Sequence, residues 1–162
     1  MMPSRLMTLM MLGLCIGVST AIAMAAESET GIQISKVWSR AMPATATTGV
    51  VYFQLDNHGA ADQLLAVSTP IAETAEIHTH VQHKDMLRMQ AITSLELPAH
   101  AQVLFEPGSY HVMLNGLKQS LTAGSQFPLS LKFAHTPEQQ ISVPILEQAP
   151  SLSGAPGALH NH

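Results

Sequence analysis

Short stretches of alternating apolar and polar residues, spread from about residue 32 to residue 145, constrain the fold of this chain most strongly. In residues 49–57 the alternation places Val51, Phe53 and Leu55 on one face, and residues 101–106 and 127–133 repeat the pattern. A period of two is typical of β-strands, and no long stretch shows the periodicity of a helix. The sequence therefore predicts an all-β domain.

Clusters of turn-forming residues such as NHGAAD, LPAHA, EPGS and LTAGSQ separate these stretches. Each cluster follows a single strand length, which is typical of antiparallel sandwiches and small barrels. Residues 32–40 are predicted to form the first strand, with a bulge near Val37 and Trp38, where the alternation slips. Residues 141–145 are predicted to form the last strand, in which Pro144 indicates an edge or a strand end.

The two ends of the chain differ in composition from the region between them. Residues 1–25 contain one basic residue, a continuous apolar run and small residues at the boundary, which is the layout of a cleaved secretory signal peptide. We therefore expect no permanent membrane anchor. Residues 26–147 are predicted to be the folded domain, and residues 148–162, rich in Pro, Gly, Ser and Ala, a flexible tail.

Charge and cysteine content exclude several classes of function. The net charge is −4 for the full chain and becomes −5 without the signal, so nothing attracts nucleic acid. The single cysteine, Cys15, lies inside the predicted signal, and Leu14 stands where a lipoprotein would need a small residue. The mature protein is therefore expected to lack cysteine, which excludes disulfide scaffolds, thiolate metal sites and cysteine nucleophiles.

Histidine and methionine occur in an order that suggests a metal site. His78 is followed after ten residues by Met89, then after twenty-one residues by His111, and after one more by Met113. A thioether is a soft, neutral donor that suits Cu(I), and copper also accepts imidazole, whereas zinc sites normally recruit other ligands. The set therefore indicates copper before zinc. A blue-copper site is excluded because it requires a thiolate.

Each of these residues, taken alone, has a simpler interpretation. Met89 is in phase with Leu87 and Ala91, so its position alone favours core packing. His78 and His80 point away from the apolar positions of their stretch, and a solvated imidazole is the default interpretation for each.

Residues 109–118 predict a strand whose apolar residues share one face, with His111 and Met113 side by side on the other. The dipeptide Asn115-Gly116 predicts a turn at the end of that strand.

From about Val37 to Ile145 the sequence resembles the periplasmic copper chaperones of the PCuAC family. Their signature is a histidine, ten residues, a methionine, twenty-one residues and His-x-Met, which His78, Met89, His111 and Met113 match with all gaps intact. Segments such as SRAMPATATTGVVYFQLDNHG, AETAEIHTHV and GSQFPLSLKF also resemble the family's core. The resemblance implies a cupredoxin-like antiparallel β-sandwich of Greek-key type that binds Cu(I) through these four residues at one exposed end. It also implies that His111 and Met113 lie near the surface, where another protein could reach the metal.

The same resemblance implies a function and partners. It implies a periplasmic metallochaperone rather than an enzyme, which delivers copper to the copper-bearing subunit of respiratory cytochrome oxidase, directly or with a Sco-type protein. We expect it to act as a monomer. Leu87 departs from the family, because many relatives carry methionine there.

Additional histidines leave further copper sites open. His80 and His83 are interpreted as secondary ligands, an entry path for copper or surface residues. His160 and His162 in the predicted tail suggest an auxiliary Cu(II) site, because Cu(II) prefers nitrogen and oxygen donors.

Two other functions remain open from the sequence alone. His78-Thr79-His80 on a β-sandwich is compatible with a copper-dependent redox enzyme of the superoxide dismutase type, although two thioethers favour Cu(I) over the Cu(II) that turnover requires. A non-metal assembly module would need only the sandwich.

Overall fold

The computed structural model describes residues 31–83 and 86–150, and ten β-strands account for most of this region, which contains no helix. The strands are β1 (Ile32–Arg40), β2 (Thr48–Asn57), β3 (Asp62–Ser68), β4 (Ala72–His83), β5 (Met86–Ile92), β6 (Leu95–Leu97), β7 (Gln102–Phe105), β8 (His111–Leu117), β9 (Gln126–Phe133) and β10 (Gln139–Leu146). The predicted all-β class is confirmed.

Hydrogen bonding links the strands in the order β5-β4-β8-β2-β1-β10-β9-β3-β6, and β7 pairs with β2 beyond the end of β8. Strand pairs are antiparallel except for β1 with β10, which run parallel at their ends. This short parallel contact joins a first sheet, which includes β5, β4, β8, β2 and β1, to a second sheet of β10, β9, β3 and β6. The predicted antiparallel β-sandwich therefore contains one short parallel pair at this junction.

One apolar core lies between the two sheets. The first sheet contributes buried side chains from β2, β4 and β8, and the second contributes buried side chains from β3, β9 and β10. The members predicted from alternation are Val51, Phe53, Leu55, Phe105, Phe127, Leu129, Leu131, Phe133, Val143 and Ile145. Because each strand turns one face to this core, its other face is left to water or to function.

Irregularities in β1 and β10 have local causes that the sequence indicated. The register of β1 against β2 shifts between Ser35 and Trp38, and Lys36 has a φ of 51°, which confirms the predicted bulge. Pro144 is the last residue of β10 to pair with β9, and Ile145 is the first to pair with β1. Pro144 therefore marks a change of partner near the strand end rather than a sheet edge, as suits a residue without an N–H group.

Parts of the predicted organisation lie outside the described residues, namely the signal peptide (residues 1–25) and residues 151–162 of the tail, with His160 and His162. The boundaries of the predicted domain therefore stay predictions. Within the residues that are described, no helix is long and apolar enough to cross a membrane.

A buried carboxylate ties the start of β3 to the segment after β9. Asp62 is 5% exposed and accepts backbone hydrogen bonds from Gln63 (2.7 Å), His135 (3.0 Å) and Thr136 (2.8 Å). Burial alone would raise the pKa of Asp62, but the hydrogen bonds from Thr136, Gln63 and His135 outweigh it and hold the pKa well below its usual range.

We predict that Asp62→Asn lowers the free energy of unfolding by roughly 2–3 kcal/mol at pH 7, because charge-assisted hydrogen bonds to buried amides are lost. In the wild type, acid protonates the unfolded carboxyl before the folded one. The contribution of Asp62 to the free energy of unfolding is therefore complete above about pH 5. It decreases as the pH drops below the usual Asp pKa of about 3.9. The variant should lack this part of the acid dependence.

Urea denaturation at pH 7 and at pH 3.5 measures both effects, and Glu138→Gln, at an exposed position, is the matched control. An Asp62→Asn protein as stable as the control variant at both pH values would contradict the assigned role of this carboxylate.

Candidate metal centre

Strand β8 turns its aliphatic side chains to the core and its candidate metal ligands to the opposite face. Val112 and Leu114 are fully buried in the core, and His111 and Met113 alternate with them on the opposite, outward face. The predicted turn at Asn115-Gly116 was wrong: the strand continues to Leu117, which pairs with Ala72 of β4. Gly116 has a φ of 64°, a conformation that glycine adopts without strain, so the ladder passes through the dipeptide.

The register of β4 against both neighbours brings the candidate ligands to one face. His78 pairs with His111 of β8, while His80 pairs with Met89 of β5. Directly paired residues in antiparallel strands share a face, so all four candidate ligands lie outward from the core. Sequence spacing alone does not reveal this pairing.

His78 occupies the centre of this group. It lies directly opposite His111, and Met113 and Met89 are its diagonal neighbours on β8 and β5. Diagonal neighbours are about 7–8 Å apart, within reach of long side chains. The two methionines lie at opposite corners, so His78 is the residue that each of the other three can approach.

Exposure differs sharply across the group. His111 is only 4% exposed, Met113 and His78 are half-buried, and Met89 is 54% exposed on edge strand β5. The expectation that His111 lies near the surface was wrong, since the rings of His78 and His80 flank it at centroid distances of 5.7 and 5.4 Å. The interpretation of Met89 as core packing was also wrong.

One backbone carbonyl orients two of the imidazoles. The carbonyl oxygen of Ser109 lies 3.2 Å from Nδ1 of His111 and 3.3 Å from Nδ1 of His80. A carbonyl oxygen can only accept, so both Nδ1 atoms carry the proton and donate it. The Nε2 atoms of His111 and His80 therefore hold free lone pairs, the form in which histidine binds a metal.

A carboxylate orients the third imidazole in the opposite sense. Nε2 of His78 lies 3.1 Å from Oε2 of Glu76, so Nε2 carries the proton and donates it. Nδ1 of His78 is buried and has no hydrogen-bond partner. A buried nitrogen lone pair without a partner is costly in an apolar setting, and a bound metal ion would satisfy it.

The environment keeps His111 in its neutral form. Burial lowers the pKa of His111, and the neighbouring His80 and His78 lower it further, against a smaller opposing effect of the hydrogen bond to Ser109. Neutral imidazole is the state that binds metal, so burial keeps His111 in a form to which a metal ion could bind.

Imidazoles alone do not complete a site here. Among the residues that the structure describes, no three His, Cys, Asp or Glu side chains are gathered closely enough to hold a metal ion. A metal bound between His78 and His111 would therefore depend on the thioethers of Met113 and Met89. A mixed nitrogen and sulfur set of this kind suits a soft ion such as Cu(I).

A comparison with known protein families shows to which family the chain belongs. The family described as "Putative lipoprotein LpqE-like" matches residues 32–145. The chain belongs to the LpqE-like family. This family corresponds to the PCuAC copper chaperones, so the resemblance noted in the sequence is confirmed.

A curated relative and solved structures of other proteins are similar to this LpqE-like chain. "Putative lipoprotein Lxx21020" of Leifsonia xyli subsp. xyli is 28% identical over 117 residues, which cover 71% of this chain and 69% of the relative. The copper-bound PCuAC domain from PmoF2 superimposes with a TM-score of 0.62 at 21% identity, covering 72% of this chain and 93% of that one.

The solution structure of CuI-DR1885 from Deinococcus radiodurans gives a TM-score of 0.59 at 22% identity and covers 77% of this chain and 85% of that one. At these identities the likeness establishes the fold, and the predicted cupredoxin-like β fold of this LpqE-like chain is confirmed.

Two groups that orient the histidine rings were missed in the sequence analysis, namely the carboxylate of Glu76 and the backbone carbonyl of Ser109. Glu76 stands two residues before His78 on the same strand, so alternation could have placed both on one face. Ser109 acts through its backbone, which leaves no trace in the residue type. The side chain of His83 lies outside what the structure describes.

We predict that the histidines of this LpqE-like chain differ in tautomer. His111 and His80 should carry their proton on Nδ1, and His78 on Nε2, because of the Ser109 carbonyl and the Glu76 carboxylate. Two-bond ¹H–¹⁵N correlation spectra of the metal-free protein near pH 8, where histidine is ordinarily neutral, measure this directly.

The exposed His100 serves as the reference, since a solvated imidazole favours the Nε2 proton. His111 with its proton on Nε2 would contradict the assignment. Glu76→Ala should disturb the resonances of His78 but not those of His100.

Proposed function

We propose that the chain is a copper-binding metallochaperone that holds one Cu(I) through His78, Met89, His111 and Met113. The observation that carries the proposal is the arrangement of free nitrogen lone pairs, Nδ1 of His78 and Nε2 of His111, on facing positions of β4 and β8. Both methionines share that outward face. The copper-bound PCuAC domain from PmoF2 and CuI-DR1885, which share this fold, support the proposal.

A carrier agrees better with this donor set than a redox enzyme does. Turnover of the superoxide dismutase type requires a site that holds Cu(II), for which nitrogen and oxygen donors are preferred. Here the thioethers favour the reduced ion. The donors are neutral, and one of them, Met89, is largely exposed, which favours release to another protein over permanent retention.

The location and the recipient are further parts of the proposal. Export to the periplasm is supported by the signal-like residues 1–25 and by the lipoprotein descriptions of the family and its curated relative. Cys15 follows Leu14 rather than a small residue, so we propose a cleaved signal without lipidation. The proposed recipients are the copper centres of cytochrome oxidase, reached directly or with a Sco-type partner, and the chaperone acts as a monomer.

The test is a Cu(I) competition titration of the mature protein and its variants against a chromogenic chelator. His78→Asn, His111→Asn and Met113→Leu should each weaken Cu(I) binding by about 10–100-fold or more, since losing a ligand costs at least as much as losing its supporting partner.

Met89 has a matched control on its own strand. Met86 is also 54% exposed on β5, but it pairs with His83 rather than His80 and therefore lies on the other face. Met89→Leu should weaken Cu(I) binding and Met86→Leu should not. Equal affinities in all variants would contradict the proposal, and catalytic dismutation of superoxide by the copper-loaded protein would favour the enzyme instead.

A further inference from the structure

His80 lies on the same outward face as the four candidate ligands without belonging to their spacing pattern. It pairs directly with Met89, whereas Met89 is only a diagonal neighbour of His78. Directly paired side chains have Cβ atoms about 4.5–5.5 Å apart, and diagonal neighbours are about 7–8 Å apart. The imidazole closest to Met89 along the register is therefore that of His80.

Hydrogen bonding leaves His80 ready to bind a metal. Its Nδ1 donates to the Ser109 carbonyl, so its Nε2 holds a free lone pair. The same carbonyl oxygen accepts the proton of His111, and the two ring centroids are 5.4 Å apart. One backbone group thus fixes both a buried imidazole and a neighbour that lies one strand nearer the sheet edge.

The side chains become more exposed to solvent from His111 on β8, through His80 on β4, to Met89 on β5. His111 is 4% exposed, His80 is half-buried and Met89 is 54% exposed. Strand β5 is the edge of the first sheet, so nothing in the described residues pairs with its outer side. A metal ion held by His80 and Met89 would be far easier for another molecule to reach than one held by His78 and His111.

We propose that His80 and Met89 form a second, two-ligand Cu(I) position at this exposed edge, from which copper leaves the protein. The inference rests on the proposed function. Copper passes between the positions by ligand exchange: a bond to Nε2 of His80 forms while the bonds to His78, His111 and Met113 break, and Met89 stays bound. The ion remains Cu(I) and the ligands remain neutral, so no electron or proton is transferred.

The first test measures the rate of copper release. Mature protein loaded with Cu(I) is mixed with bathocuproine disulfonate, a bulky chelator that reaches an exposed ion more readily than a buried one, in a stopped-flow instrument. His80→Asn keeps an N–H donor for the Ser109 carbonyl but removes Nε2. We expect release to slow by about tenfold while Cu(I) affinity falls by no more than about threefold.

The second test isolates the edge position. His111→Asn should leave weak residual Cu(I) binding that is abolished by adding His80→Asn or Met89→Leu and unaffected by adding Met86→Leu. Release from His80→Asn at the wild-type rate, or residual binding indifferent to His80, would overturn the inference.

Two other outcomes are also decisive. A loss of affinity in His80→Asn as large as that in His78→Asn would make His80 a ligand of the main site and overturn a separate position. If the wild type binds no Cu(I) in the titration, the proposed function itself fails, which is distinct from a failure confined to His80.

Discussion

Strand β4 lies between β5 and β8, and its pairing with both neighbours decides which side chains meet on the outward face. The pairs His78 with His111 and His80 with Met89 follow from this one register. A slip of one residue would turn every side chain of β4 to the other face and remove both histidines from the group. The buried side chains of Ile77 and Val112, which pair with each other on the core face, oppose that slip.

Because side chains alternate along each strand, one face of the first sheet packs in the core and the other face presents the candidate ligands. On the core side, apolar residues bury their surface against the second sheet, which fixes the backbone. On the outward side, the fixed backbone presents the Ser109 carbonyl to His80 and His111, and the carboxylate of Glu76 orients His78. The imidazoles are thus already oriented, so a metal ion bound between them would require less ordering of the side chains.

The local sequence pattern predicted those features that depend on neighbouring residues in the chain. Alternation predicted the strands around Phe53 and Phe127 and the bulge near Trp38, and the His and Met spacing selected the candidate ligands. The turn at Asn115-Gly116 was wrong because pairing of Leu117 with Ala72 continues the ladder, and that partner is distant in sequence. Burial of His111 and the pairing of His80 with Met89 likewise depend on contacts between strands, which the sequence around each residue does not encode.

We propose that nitrogen and sulfur from this outward face bind one reduced copper ion together. X-ray absorption at the copper K-edge of the Cu(I)-loaded mature protein tests it most directly, because the two kinds of ligand scatter differently. We expect nitrogen and sulfur together in the first coordination shell of copper, with less sulfur in Met113→Leu. A shell of nitrogen and oxygen alone would contradict it.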